Sequence, residues 1–93
     1  MGESSQITRS YFKYVLRHYR LRAELSQEQL SGLLGVSRGF YSLLELGKKW
    51  PNVDMMIRIA EVLGVRPGEL LDATVEAAKR DSCRKISKLE NPA

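Results

Sequence analysis

LSQEQLSGLLGVSRGFYSLLELG, residues 25 to 47, is the stretch whose reading decides the fold. Two short helical patterns lie in it, parted by Gly35-Val36, and a serine precedes each. Ser26 is a good N-cap, because its hydroxyl accepts from the free N–H groups of the turn that follows. Gln29, three residues on, completes the spacing of a capping box. Leu30, Leu33 and Leu34 recur at helical intervals and are expected on one face. Gly35 supplies the left-handed conformation in which helices commonly end. Ser37 caps a second helix with Tyr41 and Leu44 on its apolar side, and Gly47 stops it.

Working outward, residues 1–7 are polar and read as a flexible N-terminus. Thr8 or Ser10 can cap a first helix that runs to about Arg22, with Phe12, Val15, Leu16 and Tyr19 at intervals of three and four. Lys13, Arg17, Arg20 and Arg22 interleave with that stripe, either as a solvated basic face or as phosphate contacts. On the other side, Pro51 restricts Trp50 to extended backbone, so Lys48 to Pro51 reads as a loop with Trp50 as a lid on the core. Asn52 can cap a further helix, with Asp54 near its positive end. Met56, Ile59, Ala60 and Leu63 form the buried stripe of that helix, and Gly64 ends it. A short last turn is expected over Pro67 to Leu71, proline costing nothing in a first turn, with Leu70 sealing the core. Residues 72–93 change character. Leu71, Val75, Ala78, Ser82, Ile86 and Leu89 keep one weakly apolar face among many charges. The segment reads either as a solvated tail or as a sixth helix packed on the domain or on a second subunit, which makes it a candidate dimerisation segment.

Ninety-three residues hold one core. The net charge of +4 suits a polyanionic partner without demonstrating one. A single cysteine, Cys83, excludes an intrachain disulfide, and with one histidine beside it no zinc spacing exists. No apolar run approaches the roughly 20 residues that span a bilayer, and the start of the chain lacks a signal-peptide layout. The expectation is a soluble protein of a reducing cytoplasm, with no membrane, metal or cofactor. An enzyme is the poorest fit. There is no phosphate-binding glycine loop, and His18, between Arg17 and Tyr19, reads as surface.

Two capped helices around a short glycine turn follow the helix-turn-helix plan of DNA-binding proteins. Leu25-Ser26-Gln27, Leu30, Gly35-Val36-Ser37-Arg38, Ser42, Leu44-Glu45, Gly47, Pro51, Ile59-Ala60 and Leu63-Gly64-Val65 stand at spacings that resemble the phage-repressor and Cro-like helix-turn-helix family. The resemblance runs from about Thr8 to Leu71. It implies an all-α, compact five-helix repressor-like domain over residues 8–71, with the helix-turn-helix in helices 2 and 3. It also implies a homodimer on near-palindromic double-stranded operator DNA.

Carried onto single residues, the resemblance makes Gln27 a phosphate ligand that buttresses the recognition helix. Ser37, Arg38 and Gly39 open that helix, about residues 37–46, where side chains meet base edges. Arg38 is the candidate reader of guanine, through O6 and N7 together; the alternative is a phosphate clamp. Gly39 stands where the family more often has a polar residue, and Ser42 lies on the same helix as a further DNA candidate. Leu43 counts out sideways, toward a thymine methyl or burial at its edge, and Phe40 toward the sugar-phosphate backbone or the protein surface. Lys48 and Lys49 fall where the family's loop meets the DNA backbone. Tyr41 replaces a usual isoleucine or valine, so its hydroxyl needs a partner. Glu45 lies in an apolar setting, where a carboxylate needs a partner; the resemblance supplies Arg20 in a bidentate ion pair.

The function expected is a sequence-specific DNA-binding transcriptional regulator, most simply a dimeric repressor, with no small-molecule ligand. The alternative is a protein-interaction module of the same fold, co-activator or antitoxin-like, to which Gly39, Phe40 and Leu43 lend an apolar surface.

Overall fold

The computed structural model describes the backbone of residues 2–90 and the side chains of residues 10–81. Within them lie five helices: α1 Gly2–Arg22, α2 Gln27–Leu34, α3 Arg38–Glu45, α4 Val53–Leu63 and α5 Pro67–Glu90. The expected all-α, five-helix architecture is what forms.

The helix boundaries follow the local chemistry. Ser26 Oγ accepts from Gln29 N–H at 3.0 Å while Gln29 Oε1 accepts from Ser26 N–H at 2.8 Å, a complete capping box. Gly35, at φ 74°, lets the chain leave α2 and turn at once into α3. Ser37 Oγ accepts from Phe40 N–H at 3.0 Å, and Asn52 Oδ1 accepts from Met55 N–H at 2.8 Å. The end of α1 has no glycine. Glu24 takes the left-handed conformation at φ 60°, and Leu25 N–H closes back on the Arg20 carbonyl at 3.2 Å.

The core is one cluster: Phe12, Val15 and Leu16 from α1, Leu30 and Leu34 from α2, Tyr41 and Leu44 from α3, Met56, Ile59 and Ala60 from α4, and Leu70 from α5. Trp50 closes over it, its ring meeting Phe12 edge-on at 5.0 Å between centroids. Leu33 departs from the expected face and is 60% exposed. Leu30 and Leu34, four residues apart, already fill the inward stripe of an eight-residue helix, which leaves the position between them outside.

Two expectations about the ends are corrected, and a third reading is narrowed. First, α1 starts at Gly2 rather than at Thr8 or Ser10, because no glycine or proline interrupts the chain from Glu3 to Arg22. Second, the turn at Pro67–Leu71 and the segment after it are one helix, since nothing between Glu69 and Glu90 breaks it; no separate sixth helix forms. Third, of the alternatives left open for the weakly apolar face, its described members Leu71 and Val75 lie away from the core. Leu71 and Val75 are 45% and 44% exposed, while Ala73, Thr74 and Ala77 pack inward behind Leu70. Small side chains let α5 approach α1 closely, and Thr74 satisfies its buried hydroxyl on the Leu70 carbonyl at 2.8 Å. Tyr19 OH donates to Glu69 at 3.1 Å, and Tyr11 OH donates to Asp81 further along. The side chains of Ser82, Cys83, Ile86 and Leu89 lie outside the described residues.

Residues 73–81 therefore belong to the domain. A chain ending after Asp72 should lose about 2 kcal/mol from the missing apolar burial, a fall of roughly 10 °C in the thermal midpoint for a domain of this size. An unchanged midpoint would show that this docking contributes nothing.

Candidate nucleic-acid interface

The groundwork of the site is a buried carboxylate. Arg20, from the last turn of α1, donates to Glu45 through Nε at 2.5 Å and through a terminal nitrogen at 3.1 Å. The two side chains are only 9% and 5% exposed. The other terminal nitrogen of Arg20 donates to the Leu25 carbonyl at 2.8 Å. Two further donors converge on the same carboxylate: Gln27 Nε2 on Oε1 at 3.1 Å, and Tyr41 OH on Oε2. Tyr41, fully buried where a β-branched residue was the reference, thus finds the partner its hydroxyl needs.

The protonation states follow. Burial alone would raise the Glu45 carboxyl, but hydrogen bonds from Arg20, Tyr41 and Gln27 and the guanidinium charge outweigh it and hold the group below its ordinary range. The hydrogen bond to Glu45 raises the Arg20 guanidinium further, against the cost of burial. Burial first, and then the Glu45 bond, push the Tyr41 phenol up, so it stays a donor.

This node sets the seat of α3. Tyr41 and Leu44 face inward, and Phe40 is half-buried, packed against the core. The opposite side of the helix is open. Gln27, Arg38, Gly39 and Ser42 line one concavity of about 400 Å³ at the junction of α2 and α3. Gln27 spends one N–H on Glu45 and retains a second N–H and a carbonyl. Arg38 and Gly39 are exposed in the first turn of α3. Ser37 is exposed as well, with its oxygen accepting from Phe40 N–H as the N-cap. Leu43 is half-buried beside this face. Lys48 and Lys49 are exposed in the turn after α3, where their backbone N–H groups both reach the Leu43 carbonyl, at 2.9 and 3.2 Å.

Four of the nine DNA candidates are thus brought together, Lys48 and Lys49 sit at the far end of α3, and Phe40 is drawn toward the core. The Gln27–Glu45 bond gives the buttress implied by the resemblance its chemistry; spacing alone could not show it, because residues 18 apart have no fixed spatial relation until two helices cross. A polar residue at the first position of α2 was the one available signal.

A pair of capped helices seated on a buried ion pair, with a basic open face, defines an all-helical helix-turn-helix protein. The helix-turn-helix family model matches residues 16–70, and the chain belongs to the XRE-type helix-turn-helix family. It is 25% identical over 84 residues to the cryptic phage CTXphi transcriptional repressor RstR of Vibrio cholerae, covering 87% of this chain and 76% of that protein. It is 39% identical over 54 residues to an HTH-type transcriptional regulator of Methanocaldococcus jannaschii, covering 58% of this chain and 82% of that one. Crystal structures of the clp gene regulator ClgR from Corynebacterium glutamicum share the fold. One has a TM-score of 0.77 at 19% identity, covering 92% of this chain and 96% of that chain. The other has a TM-score of 0.70 at 23% identity, covering 74% and 88%. The family and these relatives are transcriptional regulators rather than enzymes. DNA-binding transcription regulation is the function they support for this chain. Among the described residues no helix is long and apolar enough to cross a membrane.

Glu45→Gln should cost about 3–5 kcal/mol at pH 7, since it leaves the Arg20 charge buried without its counter-ion. Glu45 is more acidic folded than unfolded, where it titrates near 4.5. The stability it contributes is therefore complete above that value and is lost as pH falls through the lower, folded one. Thermal unfolding between pH 7 and pH 3 should show a large gap between wild type and Glu45→Gln that narrows on the acid side. Equal midpoints at pH 7 would refute the role given to the pair.

Proposed function

We propose that the chain is a sequence-specific repressor that inserts α3 into the major groove of double-stranded DNA and works as a homodimer on a near-palindromic operator in the cytoplasm. The observation that carries this reading is the concavity shared by Gln27, Arg38, Gly39 and Ser42. It places a guanidinium at the start of α3, where recognition helices meet base edges, beside an amide able to bond a phosphate. Arg38 reads guanine O6 and N7, Ser37 and Ser42 offer hydroxyls, and Gly39 lets the backbone come close. Leu43 meets a thymine methyl, while Lys48 and Lys49 bind phosphates past the end of the helix. Gln27 holds a phosphate with the N–H that Glu45 leaves over. The repressor sign is supported by the name of the Vibrio cholerae relative.

A single recognition helix reads one half-site, and two half-sites lie about 34 Å apart along the duplex. Pairing supplies the second helix. Val53 and Ile57 on α4 and Leu71 and Val75 on α5 are exposed aliphatics, and all but Val75 line a largely apolar groove with Trp50 and Met56. We assign the pairing surface to this side of α4 and α5. Truncating the tail would unseat Thr74 and Ala77 as well, so a point change is the sharper tool.

Two experiments test the reading. Selection of bound sites from random duplexes should yield two inverted half-sites with a guanine at one position of each. Arg38→Ala should erase that preference, at a cost of about 1–3 kcal/mol for the preferred base. A uniform drop over all sequences would make Arg38 a phosphate contact instead. Val75→Asp should reduce self-association in sedimentation and weaken operator binding together while leaving the helical content in place, and should remove any dependence of the thermal midpoint on protein concentration. Unchanged sedimentation would reject the surface.

A further inference from the structure

Lys13 is committed to a place that no DNA-reading motif assigns it. A Cβ added at Gly47 would lie 3.0 Å from Lys13 Cδ and 3.8 Å from both Cε and Nζ. The lysine stem therefore runs across the turn that ends α3, and the bare glycine at φ 78° is what lets it lie there. Lys13 and Arg20 are seven residues apart on α1 and so share a face of the helix. Arg20 reaches the last residue of α3 and gives its charge to Glu45. Lys13 reaches two residues further, and among the described residues it forms no ion pair. Its ammonium lies over the Tyr14 ring, 5.1 Å from Nζ to the centroid.

Three lysines consequently belong to this corner: Lys13 of α1, whose stem lies against Gly47, and Lys48 and Lys49, exposed at the next two positions of the chain. Their mutual repulsion is partly offset by the negative end of the α3 dipole. The one carboxylate nearby in sequence, Glu45, is buried under Arg20. Lysines from two elements converging on the end of α3, with no described carboxylate paired to Lys13, are suited to a phosphodiester.

We infer that Lys13 is a DNA-backbone contact that completes, with Lys48 and Lys49, a three-lysine clamp on phosphates beside the C-terminal end of α3. The inference rests on the DNA-reading mode proposed above. It adds a ligand from outside the helix-turn-helix, and it gives α1 a direct part in binding in addition to its structural one. Packing of the stem against Gly47 removes much of the freedom that a surface lysine would otherwise lose on binding.

The test is binding of the full chain to its selected operator and to an unrelated duplex over a salt series, for wild type, Lys13→Gln and Lys13→Arg. Each phosphate neutralised contributes about 0.9 to the slope of log K against log salt. Lys13→Gln should therefore flatten the slope by about 0.9 on both duplexes and weaken binding several-fold at low salt, with the deficit shrinking as salt rises. Lys13→Arg should keep the wild-type slope. A slope for Lys13→Gln equal to wild type overturns the inference, even where affinity or the thermal midpoint falls, because a purely structural lysine alters stability and not counter-ion release. A wild-type protein whose duplex binding shows no salt dependence would sink the DNA-reading mode itself, a result separable from the loss of Lys13 alone.

Discussion

One carboxylate ties the molecule together. Glu45 is the last residue of α3, yet its oxygens collect donors from α1, from the first residue of α2 and from α3 itself. The Arg20 that neutralises it also holds the carbonyl of Leu25, in the link between α1 and α2. A buried charge is tolerated only when it is both paired and fully hydrogen-bonded. Here that demand becomes a positional constraint, since every donor must arrive at once. Apolar contact among Leu30, Leu34 and Leu44 would accept small slides of one helix over another. Directional bonds to a single carboxylate do not. The orientation of α3 is therefore set by an electrostatic requirement made inside the protein, away from its open face.

The phenol of Tyr41 shows how the node was adapted. A branched aliphatic at this place would fill the core and leave Glu45 to Arg20 and Gln27. A tyrosine fills more volume and brings a fourth donor, four residues from Glu45 on the same helix, where side chains are neighbours. Phe40 beside it is drawn toward the core as well. Helix α3 thus spends three aromatic or aliphatic residues, Phe40, Tyr41 and Leu44, on its seat. In eight residues, few remain for the other side.

The helix-turn-helix itself was legible because its signals are local. Ser26, Gln29, Gly35, Ser37, Asn52 and Gly64 act on backbone groups within four residues, and their caps form as expected. What failed was global. The docked face of α5 went unnamed because Leu71 and Val75 look more apolar than Ala73, Thr74 and Ala77, whereas docking on α1 rewards small size over hydrophobicity. Leu33 was misplaced because three leucines fit one helical face on paper and an eight-residue helix buries two. The extension of α1 back to Gly2 had no cap to mark it. Glu24 in a left-handed conformation left no sign either, as nothing but glycine advertises that geometry. Within the site, the gathering of Gln27, Arg38, Gly39 and Ser42 depends on the crossing of α2 and α3, which a capping pattern announces without specifying the contacts.

The division of labour on the outer face has a physical consequence. In the proposed binding mode, one fork-shaped cation at the start of α3 reads a base, while lysines at its end hold phosphates. Backbone contacts add affinity without adding discrimination. A protein with so few base-reading groups per half-site gains selectivity chiefly by requiring two half-sites at a fixed separation, because the penalty for a wrong base then applies twice to one binding event. That makes the rigidity of the seat matter. If α3 could rock on the core, Arg38 would follow the best local guanine and the spacing between half-sites would lose its meaning. The donors converging on Glu45 oppose that rocking, and so in the proposed mode the interaction that stabilises the fold is also the one through which a sparse reading surface would retain selectivity.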